Sequence, residues 1–120
     1  MEFYEVIKTH RSVRLFEQDP IPENVLRKVL EAARIAPSGS NRQPWKFILV
    51  RDETAKKKLA AACSGQAFIV QAPVIIVAVG RNIRYNRGNY MGDMSFLIDV
   101  AISVDHLILA ARNEGLEPAG

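Results

Sequence analysis

Ala36-Pro37-Ser38-Gly39-Ser40-Asn41-Arg42-Gln43-Pro44-Trp45 is the stretch on which the reading of this chain turns. It separates a helical pattern ending near Ile35 from a strand-like run, Lys46-Phe47-Ile48-Leu49-Val50. Its prolines, glycine and serines rule out a regular element. Pro37 and Pro44 fix φ near both ends, and Gly39 lets the backbone approach something flat or bulky. Ser38, Ser40, Asn41 and Gln43 add groups that both donate and accept hydrogen bonds. Such a loop suits a planar ligand rich in heteroatoms. Taken alone, it also reads as a plain helix-to-strand connection that only turns the chain.

The surrounding composition narrows the class. A chain of 120 residues with 48% hydrophobic content supports one small folded domain. A domain this size buries only about two thirds of its unfolded surface, so association with another chain would help it. The net charge of +3 is spread among acidic residues and gives no dense basic face for nucleic acid. Cys63 is the single cysteine, so no intrachain disulfide forms and a reducing, cytoplasmic setting is expected. Met1-Glu2-Phe3-Tyr4-Glu5 lacks the basic-then-apolar pattern of a signal peptide. The apolar stretch from Phe96 to Ala111 carries Asp99, Asp105 and His106, which argues against a membrane span.

Periodicity places the elements. Phe3, Val6 and Ile7 predict a short amphipathic helix over Glu2 to Thr9. If His10 to Phe16 is extended, His10, Ser12 and Arg14 face one way and Arg11, Val13 and Leu15 the other. Pro22 and Glu23 suit a helix start, and the helix runs to about Ile35 with Val25, Leu26, Val29, Leu30 and Ala33 inward. Asp52 or Thr54 is expected to cap a helix reaching about Cys63 and stopping before Gly65. Within it, Lys56-Lys57-Lys58 reads as a solvated face rather than a phosphate track. Val74-Ile75-Ile76-Val77-Ala78-Val79 reads as a strand covered on both faces. Arg81, Arg84 and Arg87 read as solvated loop positions, with a lip for an anionic substrate as the minority view. Gly92 to about Glu114 reads as one long helix stopped by Gly115. Ser95, Asp99, His106 and Asn113 fall near one line on it, and nearly all the rest of its circumference is apolar. Such a helix is expected to be buried on most sides, in part by a second subunit. His106 is expected to be a hydrogen-bonded structural residue rather than a catalytic base.

A second polar motif precedes the loop. His10-Arg11-Ser12-Val13-Arg14 joins two guanidinium groups to a hydroxyl, a combination that matches a phosphate. Alone it is weak; placed after the first helix and ahead of the Pro37–Trp45 loop, it is specific. With these motifs in this order, the chain resembles the nitroreductase family, the FMN-dependent NAD(P)H oxidoreductases. Gln66, the Ala72-Pro73-Val74 entry to the second strand and the closing helix from Asp99 to Gly115-Leu116 fit as well.

The resemblance implies an α+β fold, a small central sheet flanked by helices, with the long helix at the interface of a homodimer. It implies FMN bound non-covalently between subunits. His10, Arg11, Ser12 and Arg14 would hold its phosphate, ribityl and pyrimidine side. Pro37, Ser38, Gly39, Ser40 and Asn41 would approach from the partner subunit, and Gln66 would reach the isoalloxazine edge. It implies ping-pong transfer from NAD(P)H through the flavin to a nitroaromatic, quinone or similar small-molecule acceptor. A flavin cofactor needs no protein nucleophile, which agrees with one cysteine, two histidines and no metal-ligand cluster. Two other readings stand beside it: a dehalogenating or flavin-consuming relative, and a flavin-binding or degenerate dimeric scaffold without turnover. Family members usually continue beyond Gly115-Leu116 with a glycine-rich turn and further strand and helix. Here Glu117-Pro118-Ala119-Gly120 follows, so the expectation is a fragment of a longer reading frame or a short form compensated by its dimer.

Overall fold

The computed structural model describes residues 1–10, 19–81 and 95–116. The elements run α1 (Phe3–Thr9), α2 (Glu23–Arg34), β1 (Trp45–Val50), α3 (Glu53–Ala62), β2 (Ile75–Gly80) and α4 (Ser95–Asn113). Short 3-10 turns occupy Gly39–Asn41 and Ala67–Gln71. The segment from Arg11 to Gln18, including the expected extended motif, lies outside the described residues, as do Arg84, Arg87 and Gly92.

Helix starts follow local chemistry. Glu2 caps α1 by accepting from the Tyr4 and Glu5 amides. Asp52 caps α3 by accepting from the Ala55 amide at 2.9 Å, so of the two residues expected at that cap it is Asp52 that serves. Pro22 stands at the N-cap of α2, one residue outside the helix. Gly115 ends α4 with φ +80, and the turn returns the Leu116 amide to the Ala111 carbonyl at 2.8 Å. That turn lays Leu116 against the core.

The core is the contact between α2 and α4. Val29, Ala33, Leu107 and Ala111 form its buried centre, with Leu30, Phe47, Ile76 and Leu116 against it. Leu26, Val29 and Ala33 are the buried face of α2, in keeping with its spacing. On α4 the buried stripe is Asp99, Ser103, Leu107 and Ala111, four residues apart along one ridge. Ser103 donates from Oγ to the Ala33 carbonyl at 2.7 Å, which joins the two helices where both residues are fully buried. The sheet is one antiparallel pair, with Trp45 opposite Gly80 and Val50 opposite Ile75. Gly80 meets the first turn of α4 so closely that an added Cβ would lie 2.7 Å from the Phe96 ring.

Several expectations change. Lys56 is 3% exposed, whereas Lys57 and Lys58 are solvated. Its ammonium donates to the Ala72 carbonyl at 2.9 Å and pairs with Glu53 at 2.8 Å, clamping α3 to the strand entry. Residues along β2 are half-buried, and Ala78 is exposed, so one chain does not cover both faces. Of the apolar face of α1 only Val6 is buried; Phe3 is 62% exposed. On α4 the pattern is partly inverted: polar Asp99 and Ser103 are inside, while Leu97 is 50% and Ile98 45% exposed. His106 is half-buried on α4.

Lys56→Ala is expected to destabilise the fold by about 1–3 kcal/mol, because it strips the half-buried Ala72 carbonyl of its donor. Lys57→Ala and Lys58→Ala should stay within about 0.5 kcal/mol of the parent. Urea denaturation of the three variants checks this difference. Leu26→Ala should cost about 2–5 kcal/mol by the same measurement, since its side chain is wholly enclosed.

Candidate functional site

The loop between α2 and β1 holds an uncommon backbone. Ser40, Asn41 and Gln43 have φ of 53, 53 and 52, a left-handed conformation that side chains other than glycine seldom adopt. Asparagine tolerates it; serine and glutamine do so at a cost of order 1 kcal/mol each. The loop is held from within and from outside. Ser38 Oγ accepts the Gln43 amide at 3.0 Å, and the Ser38 and Gly39 carbonyls accept the amides of Asn41 and Arg42. Pro44 and Trp45 are buried at the far end, where the Pro44 carbonyl accepts the Arg81 amide at 2.8 Å.

Two bonds tie the loop to the first turn and a half of α4. The Gly39 amide donates to Asp99 Oδ1 at 3.1 Å. Arg42 donates from Nε to the Gly39 carbonyl at 3.0 Å and reaches Ser95 Oγ with Nη2 at 3.4 Å. Asp99 is 6% exposed, and its Oδ2 has no hydrogen-bond partner among the described residues. Sequence reading placed Ser95 and Asp99 on one polar line of the helix but assigned them no role. The signal available was that shared line, four residues apart, on an otherwise apolar helix.

The residues expected to bind cofactor are distributed as follows. Pro37, Gly39, Ser40 and Asn41 are exposed and Ser38 is half-buried, all on the anchored loop. Asn41 Oδ1 accepts from Gln43 Nε2 at 3.3 Å. His10 is exposed at the end of α1, its Nδ1 2.8 Å from the Ile7 carbonyl. Arg11, Ser12 and Arg14 lie outside the described residues. Gln66 is exposed beyond α3 and donates from Nε2 to the Cys63 carbonyl at 2.9 Å. The structure thus gathers Pro37 to Asn41 into one surface, and does not bring His10 or Gln66 into hydrogen-bond contact with it.

The reason is visible along α4. Thr9, one residue before His10, accepts from Arg112 Nε at 3.0 Å, in the last turn of that helix. The loop is fastened to Asp99 near its start. With a rise of about 1.5 Å per residue, the two anchor points lie roughly 20 Å apart.

Two clefts lie elsewhere. One, of about 500 Å³, runs between β2 and α4 and is lined by Gly80, Phe96, Leu97, Val100, Val104 and Ile108 among others. The other, of about 400 Å³, lies beside Lys56, Glu53, Arg51 and Glu23. Neither is lined by the expected cofactor residues. Among the described residues no cluster of His, Cys, Asp and Glu could hold a metal ion, and no helix is long and apolar enough to cross a membrane. Glu31, whose carboxyl is held below its usual range by a hydrogen bond from Arg34, stands on the solvated face of α2.

Comparison with known proteins agrees with this architecture. The nitroreductase family model matches residues 7–71, more than half of the chain, and the chain belongs to that family. It is 40% identical over 117 residues to an FMN reductase (NAD(P)H) of Bacillus subtilis, covering 93% of this chain and 46% of that protein. Over 58 residues it is 41% identical to iodotyrosine deiodinase 1 of Rattus norvegicus, 48% of this chain and 20% of the other. A nitroreductase family protein from Clostridium novyi NT superposes with a TM-score of 0.85 at 37% identity, covering 96% of this chain and 66% of that one. The chain spans less than two thirds of the length of the curated relatives that it matches.

Ser38→Ala removes the acceptor that holds Gln43 in its left-handed conformation. It is expected to cost about 1 kcal/mol and to speed exchange of the Gln43 amide, read by urea denaturation and hydrogen exchange.

Proposed function

We propose that this chain forms the flavin-binding part of an FMN-dependent NAD(P)H oxidoreductase that works as a homodimer. The observation that carries the reading is the fastening of the Gly39 loop to the start of α4 and of Thr9, the residue before the second polar motif, to its end. A twofold axis crossing α4 near its middle would bring the first turn of one copy beside the last turn of the other. The loop of one subunit would then face the His10–Arg14 motif of its partner, and one site would be completed from two copies. The apolar groove along α4 and β2 supplies surface for that association, with Leu97 exposed beside it.

The donor set fits the cofactor. Arg11 and Ser12 would bind the phosphate and ribityl chain, with His10, the residue before them in sequence, adding to that side. Arg14 would place a positive charge at the pyrimidine edge, which favours electron uptake there. Pro37 and Gly39 let the loop lie close to a flat ring, while Ser38, Ser40 and Asn41 offer hydroxyl and amide groups at its polar edge. Gln66 would contact the isoalloxazine edge. Bound FMN would supply the redox chemistry, with NAD(P)H and a nitroaromatic, quinone or similar small acceptor exchanging places in ping-pong order. The chain's own task is to bind, orient and shield that group. A single cysteine would suit a reducing cytoplasm.

Purified protein is expected to be yellow and to bleach anaerobically on addition of NADH or NADPH. Colourless protein that cannot be reconstituted with FMN overturns the reading. Arg11→Ala should weaken FMN binding by about 1.5–3 kcal/mol in a fluorescence-quenching titration, the worth of a hydrogen bond to a charged group. Leu97→Asp, at an exposed position lining the groove, should shift sedimentation from dimer to monomer and lower FMN occupancy together.

A further inference from the structure

We propose that Asp99 is the positioning residue that sets the cofactor loop, holding Ser38 to Asn41 in their presenting conformation through the Gly39 amide. In its cofactor half this rests on the function proposed above. A buried carboxylate is expensive unless it is paired or hydrogen-bonded, and this one is oriented towards a loop rather than towards a neighbouring helix. Its Oδ1 takes the Gly39 amide at 3.1 Å, while Oδ2, equally buried, takes no hydrogen bond among the described residues. Core packing does not account for such a side chain, since an apolar residue would fill the space at lower cost.

What the carboxylate achieves is local. Immediately after Gly39 the chain turns left-handed at Ser40 and Asn41, and again at Gln43. Each of those conformations relaxes unless the surroundings hold it. On α4, Asp99 and Ser95, one turn apart, both meet this loop by hydrogen bonds. Ser95 meets Arg42 at 3.4 Å, a longer contact than the 3.1 Å bond from the Gly39 amide to Asp99, so the bond at Gly39 is the closer of the two ties. A Cβ at Gly39 would sit 3.8 Å from Asp99 and 3.3 Å from the Arg42 guanidinium, so both side chains crowd this position. The stripe of α4 that fastens the loop continues into the core through Ser103 and Leu107.

Ser103 provides the structural control. It is as deeply buried as Asp99, also bonds backbone across a helix face, and touches α2 instead of the loop. The experiment compares Asp99→Ala, Asp99→Asn and Ser103→Ala in the full chain. Two readouts are taken: FMN affinity by fluorescence quenching, and hydrogen exchange at the amides of Gly39, Asn41 and Arg42 without cofactor.

Asp99→Ala is expected to lose protection at those amides and to weaken FMN about tenfold or more. Asp99→Asn, which keeps an acceptor for Gly39, should restore both. Ser103→Ala should lower stability and leave both near the parent. Equal loss in Ser103→Ala and Asp99→Ala overturns the proposal, because the effect is then general to the helix contact. Retained protection in Asp99→Ala overturns it as well. Should Asp99→Ala fail to fold, the parent protein decides: a Gly39 amide exchanging like an unstructured one refutes the hold outright, and a protected amide that Asp99→Asn preserves supports it. If the parent binds no FMN, the proposed function fails, and the exchange measurements still decide whether Asp99 sets the loop.

Discussion

The fold depends on how closely α2 and α4 approach each other. Ala33 and Ala111 present almost no side chain at the crossing, and Ser103 bonds directly to the Ala33 carbonyl. A larger residue at any of these places would push the helices apart and open the space that Val29 and Leu107 fill. Everything else is referred to that pair. The sheet leans on it through Phe47 and Ile76, and Leu116 folds back over it. The N-terminal helix is attached to it through Arg112, and the polar loop through Asp99.

Much of this was legible in the chain itself. The inward face of α2, a cap at Asp52 or Thr54, the two strands and the stop at Gly115 follow from spacing and local chemistry alone, and it is Asp52 that caps. What could not be read is what depends on a neighbour in space. Three consecutive lysines look alike in sequence, yet a helix turns about 100° per residue, and only Lys56 points at the Ala72 carbonyl. Asp99 falls on a polar line with Ser95, His106 and Asn113, and its partner shows only once the loop is in place; Ser103 likewise needs α2 beside it. The even exposure of β2 and the bare faces of Phe3, Leu97 and Ile98 belong to surfaces that one chain leaves open.

The site was legible in composition and not in conformation. Proline, glycine and serine announce a loop, but nothing in Ser40 or Gln43 announces a left-handed backbone, which both residues disfavour. Those angles come from the framework rather than from propensity. Departures from local preference of this kind concentrate where structure serves binding. This loop shows such a departure, tied to α4 through Asp99.

The bond between Thr9 and Arg112 joins the first helix to the last across nearly the whole chain, and Ser103 reaches back to Ala33 across more than half of it. During synthesis on a ribosome, α1, α2 and the sheet therefore emerge long before the helix that completes their core. Contacts so distant in sequence close late. The nascent chain must travel with its apolar faces bare until α4 leaves the exit tunnel, a stretch of its life in which chaperone capture competes with folding.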